Sequence, residues 1–378
     1  MKLNRFLCFA AAALAVLLQG CGESRDGNTA SIQSPAMDTL YIDIADTIGI
    51  EMGDSALVFG LLIDAGYAPD GSIMVLDAQK CCVSVFSAEG EHLRDIGRSG
   101  SGPGEFQFPL SIAFPGSGLA VSDMLGRTVS YFDSRGEYIG QLSGFAFGPP
   151  SSIKAGPDST LYGELVSMEM DQDEMQGSLD ISRWDSADSS EPCMTYLSLP
   201  LSLHMAGEEQ SVERTAAVDF AIDVEGNLYV AEISDTLLNL RGFSAAGEEM
   251  LDLNETRERV PRSQEELDAG QMGLSVTMTD GSASASTFRS DDVYPWRNIV
   301  ESVGLDGRGR IWLEMGDGDN PYFQVYDPGG QQVAVAFLNH DFGQAGAPAF
   351  SITPYGMLAY DRDPLDYPKI YLLEVGGF

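Results

Sequence analysis

The sequence predicts an all-β protein, a six-bladed β-propeller with four-stranded blades whose ring is closed by the N-terminal strand. Three observations carry this prediction. An apolar strand, a Gly or Asp turn, an alternating strand, a polar turn and a strand ending in an aromatic recur in that order six times. Each second strand ends in a carboxylate. The last copy is one strand short, and a spare strand stands near the start of the chain.

The first copy runs from Ile63 to Gly97, with Pro69-Asp70-Gly71 as its turn, Ile73 to Asp77 as its second strand and Val83 to Phe86 as its third. The second runs from Ile112 to Leu142 around Leu119 to Asp123 and Val129 to Asp133. The third has Leu161 to Glu164 and Ile181 to Asp185, and the fourth has Leu228 to Glu232 and Leu240 to Phe243. The fifth has Ile311 to Glu314 and Phe323 to Asp327, and the sixth Met357 to Asp361 and Ile370 to Glu374. Three of the five intervals between second strands fit the ~40 to 50 residues of a four-stranded blade. The other two carry insertions, near 167–217 and 255–298. In the second insertion Ser263-Gln264-Glu265-Glu266 reads as a capping box opening a short helix, followed by a Ser-, Thr- and Gly-rich loop. Thr39 to Ile44 is the spare strand. Pairing it with the sixth copy closes the ring and covers sheet edges that would otherwise aggregate.

The first residues predict export. Lys2 and Arg5 precede an uncharged stretch from Phe6 to Leu18, too short to span a bilayer, and Leu18-Gln19-Gly20-Cys21 follows. That tetrad resembles the lipobox of bacterial lipoproteins, which implies a signal peptide over 1–20, a lipid on Cys21 and a place in the cell envelope on the extracytoplasmic side of a bacterial membrane. Residues 21–38 are polar and without apolar period, so they read as a flexible tether ahead of the propeller at 39–378.

A formal charge of −36, from 21 basic and 57 acidic residues, excludes nucleic acid as a partner, because phosphate backbones need a basic stripe. The favoured account of the charge is a solvated acidic surface; a cationic ligand is the alternative. With Cys8 in the signal and Cys21 lipidated, Cys81, Cys82 and Cys193 remain, an odd number that is no disulfide framework. On a strand Cys81 and Cys82 would face opposite ways, one buried and one near a surface.

The stretch Ile96-Gly97-Arg98-Ser99-Gly100-Ser101-Gly102-Pro103-Gly104-Glu105-Phe106, with Pro109 to Ala113 after it, resembles the signature of NHL-type propellers. In them a Gly-rich crossing precedes a Phe, a Pro and the next blade's first strand. The helical insertion before Pro295 to Ile299 resembles that of six-bladed bacterial lipoproteins, and the resemblance implies the propeller fold over roughly 39–375. The chain departs from the NHL pattern at Cys82 and Thr128, where a basic residue is usual.

Asp77, Asp123, Glu164, Glu232, Glu314 and Asp361 end the second strands and are the candidate channel-rim carboxylates, able to attract cations or sugars. The favoured reading is that each accepts backbone N–H bonds from the following turn. No catalytic residue and no resident metal is predicted. His92, His204 and His340 lie off the inner strands, which disfavours zinc chemistry of the peptide-amidating lyase kind. Calcium remains possible at Asp171 to Glu174 and at Gly316 to Asn320, oxygen-rich loops without converging spacing. No Gly-x-Ser-x-Gly elbow occurs. The expected function is a monomeric, non-enzymatic binding or scaffold module that engages a protein or carbohydrate partner through its loops. The alternative is a calcium-assisted lactonase or glycan-acting lyase at the channel mouth.

Overall fold

A computed structural model describes residues 37–171, 174–201, 217–269, 271–279, 282–290, 294–318, 320–342, 348–362 and 367–376. The signal, Cys21, nearly all of the tether and His204 lie outside them. Strand β1 is Asp38–Ile48. Blade 1 is β2 (Leu62–Tyr67), β3 (Ile73–Asp77), β4 (Cys82–Phe86) and β5 (His92–Ile96). Blade 2 is β6 (Pro109–Ala113), β7 (Leu119–Asp123), β8 (Thr128–Phe132) and β9 (Tyr138–Ser143). Blade 3 is β10 (Ile153–Ala155), β11 (Leu161–Asp171), β12 (Glu174–Trp184) and β13 (Met194–Leu201). Blade 4 is β14 (Val218–Ile222), β15 (Leu228–Glu232), β16 (Leu237–Phe243) and β17 (Glu249–Thr256). Helix α1 (Gln264–Ala269) and the hairpin β18 (Gln271–Thr279) and β19 (Ser282–Ser290) follow. Blade 5 is β20 (Val300–Leu305), β21 (Ile311–Met315), β22 (Tyr322–Tyr326) and β23 (Gln332–Leu338). Blade 6 is β24 (Ala349–Thr353), β25 (Gly356–Tyr360), β26 (Ile370–Gly376) and β1.

The recurring turns have one cause. Between the third and fourth strands Ser87, Asp133, Ser244 and Asp327 open a turn, and a Gly three residues on sits at φ 81–85°. The opening side chain accepts from the backbone, as when Asp133 Oδ1 takes Arg135 N and Glu137 N at 2.9 Å each. Only glycine holds that φ without strain, so Asp/Ser-x-x-Gly repeats wherever the turn does.

Apolar side chains from adjacent blades form one buried core at each junction. Val83 and Phe106 meet between blades 1 and 2, Val129 and Trp184 between 2 and 3, Tyr162 and Phe243 between 3 and 4. Leu240 and Leu313 meet between blades 4 and 5, Phe323 and Phe350 between 5 and 6, and Ile73 and Leu358 between 6 and 1. The last junction closes the circle. Each fully buried large side chain there contributes roughly 1.5–3 kcal/mol, so the ring is held by its seams as much as by its sheets.

As expected, β1 supplies the fourth strand of blade 6, antiparallel to β26 with Ile44 opposite Leu373 and Thr47 opposite Tyr371. It also does more. Its first half, Asp38 to Ile42, runs parallel to β23 from Ala334 to Leu338, so blades 5 and 6 form one eight-stranded sheet. An eleven-residue strand is long enough to leave one edge for the other, with Leu40 and Ile42 each 1 % exposed.

Two expectations are corrected. The segment after α1, expected as a loop, is the β18–β19 hairpin, because Met272, Leu274, Val276 and Met278 alternate with small or polar residues at the strand period. Cys81 and Cys82 are both buried, since Cys81 lies in a turn at φ 54°, where strand alternation does not apply. The capping box is reciprocal: Ser263 N donates to Glu266 Oε2 (2.7 Å) and Glu266 N to Ser263 Oγ (3.2 Å). Arg297 clamps it from outside the helix, 2.8 Å from Glu266 Oε2. The first insertion is in part a lengthening of β11 and β12, paired from Leu161–Trp184 out to Asp171–Glu174.

Candidate binding channel

The first strand of every blade faces the axis, and together β2, β6, β10, β14, β20 and β24 wall two cavities, of about 830 Å³ and about 430 Å³. Strand register defines the channel's rings. Opposite the second residue of β3, β7, β11, β15 and β21 stand Gly66, Ala113, Lys154, Ala221 and Gly304, and opposite the third residue of β25 stands Ser351. Five of these are small because the first strands crowd together: a Cβ on Gly304 would lie 2.5 Å from Ile352 Cβ and 2.7 Å from its carbonyl. Lys154 alone sends a long side chain into the bore. It lines both cavities, as do Asp64, Asp219, Phe350 and Ser351, so these residues mark the waist between them.

One step nearer the wide cavity, Asp64, Ser111 and Asp219 tie first strands together across the blades. Asp64 Oδ2 accepts from Ser111 Oγ (2.8 Å) and Ile112 N (3.0 Å), Ser111 Oγ accepts from Ile153 N (3.1 Å), and Asp219 Oδ2 accepts from Val303 N (2.8 Å). First strands are sheet edges, and these side chains satisfy N–H groups that the sheets leave open. Burial lowers the affinity of Lys154 for its proton, yet Asp64, Asp219 and the Tyr360 oxygen outweigh it and hold the ammonium above the usual lysine range. Burial likewise raises Asp219, with Lys154 and the Val303 amide acting against it. Arg362 reaches the wide cavity from beyond β25 and donates to the Tyr360 hydroxyl (3.1 Å).

The six strand-end carboxylates divide into two kinds. Asp77 and Asp123 are turned into the protein: Asp77 accepts from Gly60, Leu61, Gln79 and Lys80 backbone N–H groups, and Asp123 from Gln107 and Phe108. Asp361 accepts from Lys369 N (3.0 Å) and Glu232 from Asn239 Nδ2 (3.2 Å). Glu164 and Glu314 differ. Each sits one position earlier and meets a serine of the neighbouring first-strand segment, Ser151 at 2.7 Å and Ser302 at 2.6 Å. Burial raises both above the usual carboxylate range, and Glu314, 8 % exposed and lining the wide cavity, is pushed up to about 8.

Elsewhere the chemistry is sparse. Among the described residues no three His, Cys, Asp or Glu side chains gather as a metal-holding group. Asp171 and Glu174 pair as the ends of β11 and β12, and Asp317 accepts from the Tyr322 hydroxyl at 2.7 Å. His92 pairs with Asp95 (3.0 Å), and the His340 ring packs edge-on against Phe342. Cys81, Cys82 and Cys193 are free thiols, and burial pushes Cys82 up to about 11. Among the described residues no helix is long and apolar enough to cross a membrane. Lys154, Arg362, Asp64 and Asp219 were not expected as site residues. Lys154 carried a legible signal, as the one long side chain at its repeat position; Arg362, outside any strand, carried none.

The profile of a family described as a 6-bladed beta-propeller (DUF5128) matches residues 66–149. No curated protein matches the chain. Among solved structures the chain is similar to the calcium-binding protein regucalcin of Agrobacterium tumefaciens, with 12 % identity, 89 % of this chain and 97 % of that one covered, and a TM-score of 0.45. It is also similar to a gluconolactonase of Xanthomonas campestris (11 % identity, 88 % and 98 % covered, TM-score 0.43). An aldose sugar dehydrogenase of Streptomyces coelicolor is alike at the same level (12 % identity, 88 % and 98 % covered, TM-score 0.44).

Proposed function

We propose that this six-bladed propeller is an extracytoplasmic, non-enzymatic binding module of the NHL-type lipoprotein kind, held to a bacterial membrane by a lipid on Cys21, and that its channel takes the ligand. The observation that carries the reading is the wide cavity of about 830 Å³ above a charged waist. Small-molecule sites commonly occupy ~300–1,000 Å³ and combine apolar walls with a few convergent polar groups. Here Phe108, Leu110 and Met315 supply the first, and Lys154, Arg362 and Ser302 the second. Arg262, from the second insertion, stands at the same mouth, so that insertion forms part of the wall and is a natural contact for a protein or carbohydrate partner. The membrane part rests on Lys2, Arg5, the apolar stretch and Leu18-Gln19-Gly20-Cys21.

Protein isolated from its native membrane should release a small molecule in stoichiometric amount on denaturation, detectable by mass spectrometry. A Ser152→Trp variant, in which a bulky ring replaces a small lining residue of the wide cavity, should release none. An empty wild-type chain, or equal release from both, rejects the reading. Cys21→Ser should move the protein from the detergent phase to the aqueous phase on Triton X-114 partition, and unchanged partition rejects the anchor.

One observation favours a second reading. A carboxyl raised to about 8 in a cavity is placed to act as a general acid, so we infer acid–base lactonase or lyase chemistry at Glu314 as the alternative. Its calcium-assisted form suits the donor set poorly, because the carboxylates at the waist already face Lys154 and Arg362. A melt that rises with calcium and falls with EDTA would support that form.

A further inference from the structure

The waist has a surplus of idle donors. Among the described residues the Lys154 ammonium has no hydrogen bond and no ion pair, although it lies within the field of Asp64 and Asp219. The Arg362 guanidinium is shown spending a single N–H, on the Tyr360 hydroxyl. The fold takes one oxygen of each acid: Asp64 Oδ2 accepts twice from the β6 edge and Asp219 Oδ2 once from the β20 edge, which leaves the Oδ1 atoms facing the bore without bonding either cation. Two cations with unspent N–H groups therefore share the bore of a molecule that carries 57 acidic and only 21 basic residues. General surface charge does not account for cations placed there. Asp64 and Asp219 offset the charge of the two cations but not their hydrogen-bonding capacity, so a ligand that completes this site must bring acceptors for the unspent N–H groups.

We propose that the channel binds a small organic molecule through one carboxylate seated between Lys154 and Arg362. This rests on the binding reading above and names the ligand class. A carboxylate matches the planar fork of a guanidinium and places a single negative charge against the ammonium. A phosphate dianion fits less well, because Asp64 and Asp219 stand beside the same two cations and would repel the second charge. Ser302 and the Glu314 carboxyl lie further up the wall of the wide cavity, where they meet hydroxyl groups on the rest of the ligand.

The test is a thermal melt of the full-length protein with four probes at matched ionic strength: acetate, D-glucuronate, D-glucose and D-glucose 6-phosphate. Glucuronate and acetate should each raise the Tm, glucuronate by about 2 °C at ten times its Kd, while glucose raises it by less. Lys154→Met should lose the carboxylate shift and Lys154→Arg should keep it, which separates lost charge from lost folding. Glucose matching glucuronate, or a shift that survives in Lys154→Met, overturns the carboxylate and leaves the channel reading standing. A larger shift with glucose 6-phosphate assigns the site to phosphate instead. No shift with any probe overturns the inference, and the released-ligand experiment then judges the channel separately.

Discussion

The carboxyl of Glu314 lies 2.6 Å from the hydroxyl of Ser302, on a first strand crowded against its neighbour, and burial rather than any single charge sets its proton affinity. Glu301 raises it further, Arg362 lowers it and Asp219 raises it.

Stability should carry this signature. The folded-state pKa of about 8 lies above the unfolded value of 4.5, so the native state binds the extra proton between those limits and loses stability as pH rises through them. Glu314→Gln should flatten that fall, and at pH 9 should be the more stable protein by an amount on the order of a few kcal/mol. Urea unfolding at pH 5, 7 and 9 measures it; parallel pH profiles for the two proteins would refute the assignment.

Asp64→Ala removes an acceptor that serves both Ser111 Oγ and Ile112 N. A buried donor left without a partner costs about 1–3 kcal/mol, so the variant should lose that much in denaturant titration. Asp64→Asn should lose less, because its amide oxygen still accepts.

Leu40, 1 % exposed between β23 and β26, should be intolerant of truncation. Leu40→Ala should cost about 2–5 kcal/mol, and deletion of 37–48 should give a soluble but self-associating chain, read by light scattering, because two edges are uncovered at once.

Glu266→Gln should loosen the second insertion before the ring. The substitution removes the carboxylate that stands 2.8 Å from Arg297, itself 7 % exposed, and removing one partner of a buried pair costs about 3–5 kcal/mol. Hydrogen exchange should accelerate in Ser263 to Ala269 while the amides of β15 and β21 keep their protection.

Much of the architecture was legible because a propeller repeats its constraints. Gly90, Gly136, Gly247 and Gly330 recur since one turn requires them, and the incomplete sixth copy lacked the strand that Thr39 to Ile44 supplies. The parallel pairing of β1 with β23 was not legible, because edge pairing depends on how two blades splay and no residue pattern encodes that. The site was read only in part. Carboxylates at the ends of second strands stood out as a series, but Asp77 and Asp123 were in the series for the sake of backbone amides. Glu164 and Glu314 differ from them by one position, enough to place them beside Ser151 and Ser302. The functional signal lay instead in a break of the repeat, Lys154 among glycines, alanines and a serine.

The pairing of β1 with β26 joins residues near 40 to residues near 375, so the circle closes only when the C-terminal residues have arrived. During synthesis the antiparallel half of β1 must wait for a partner made much later in the chain. Such long-range closure makes folding slow, and it means that a chain cut short before Ile370 loses its clasp together with one blade's third strand. A chain without β26 has no circular form to adopt and remains open to proteolysis.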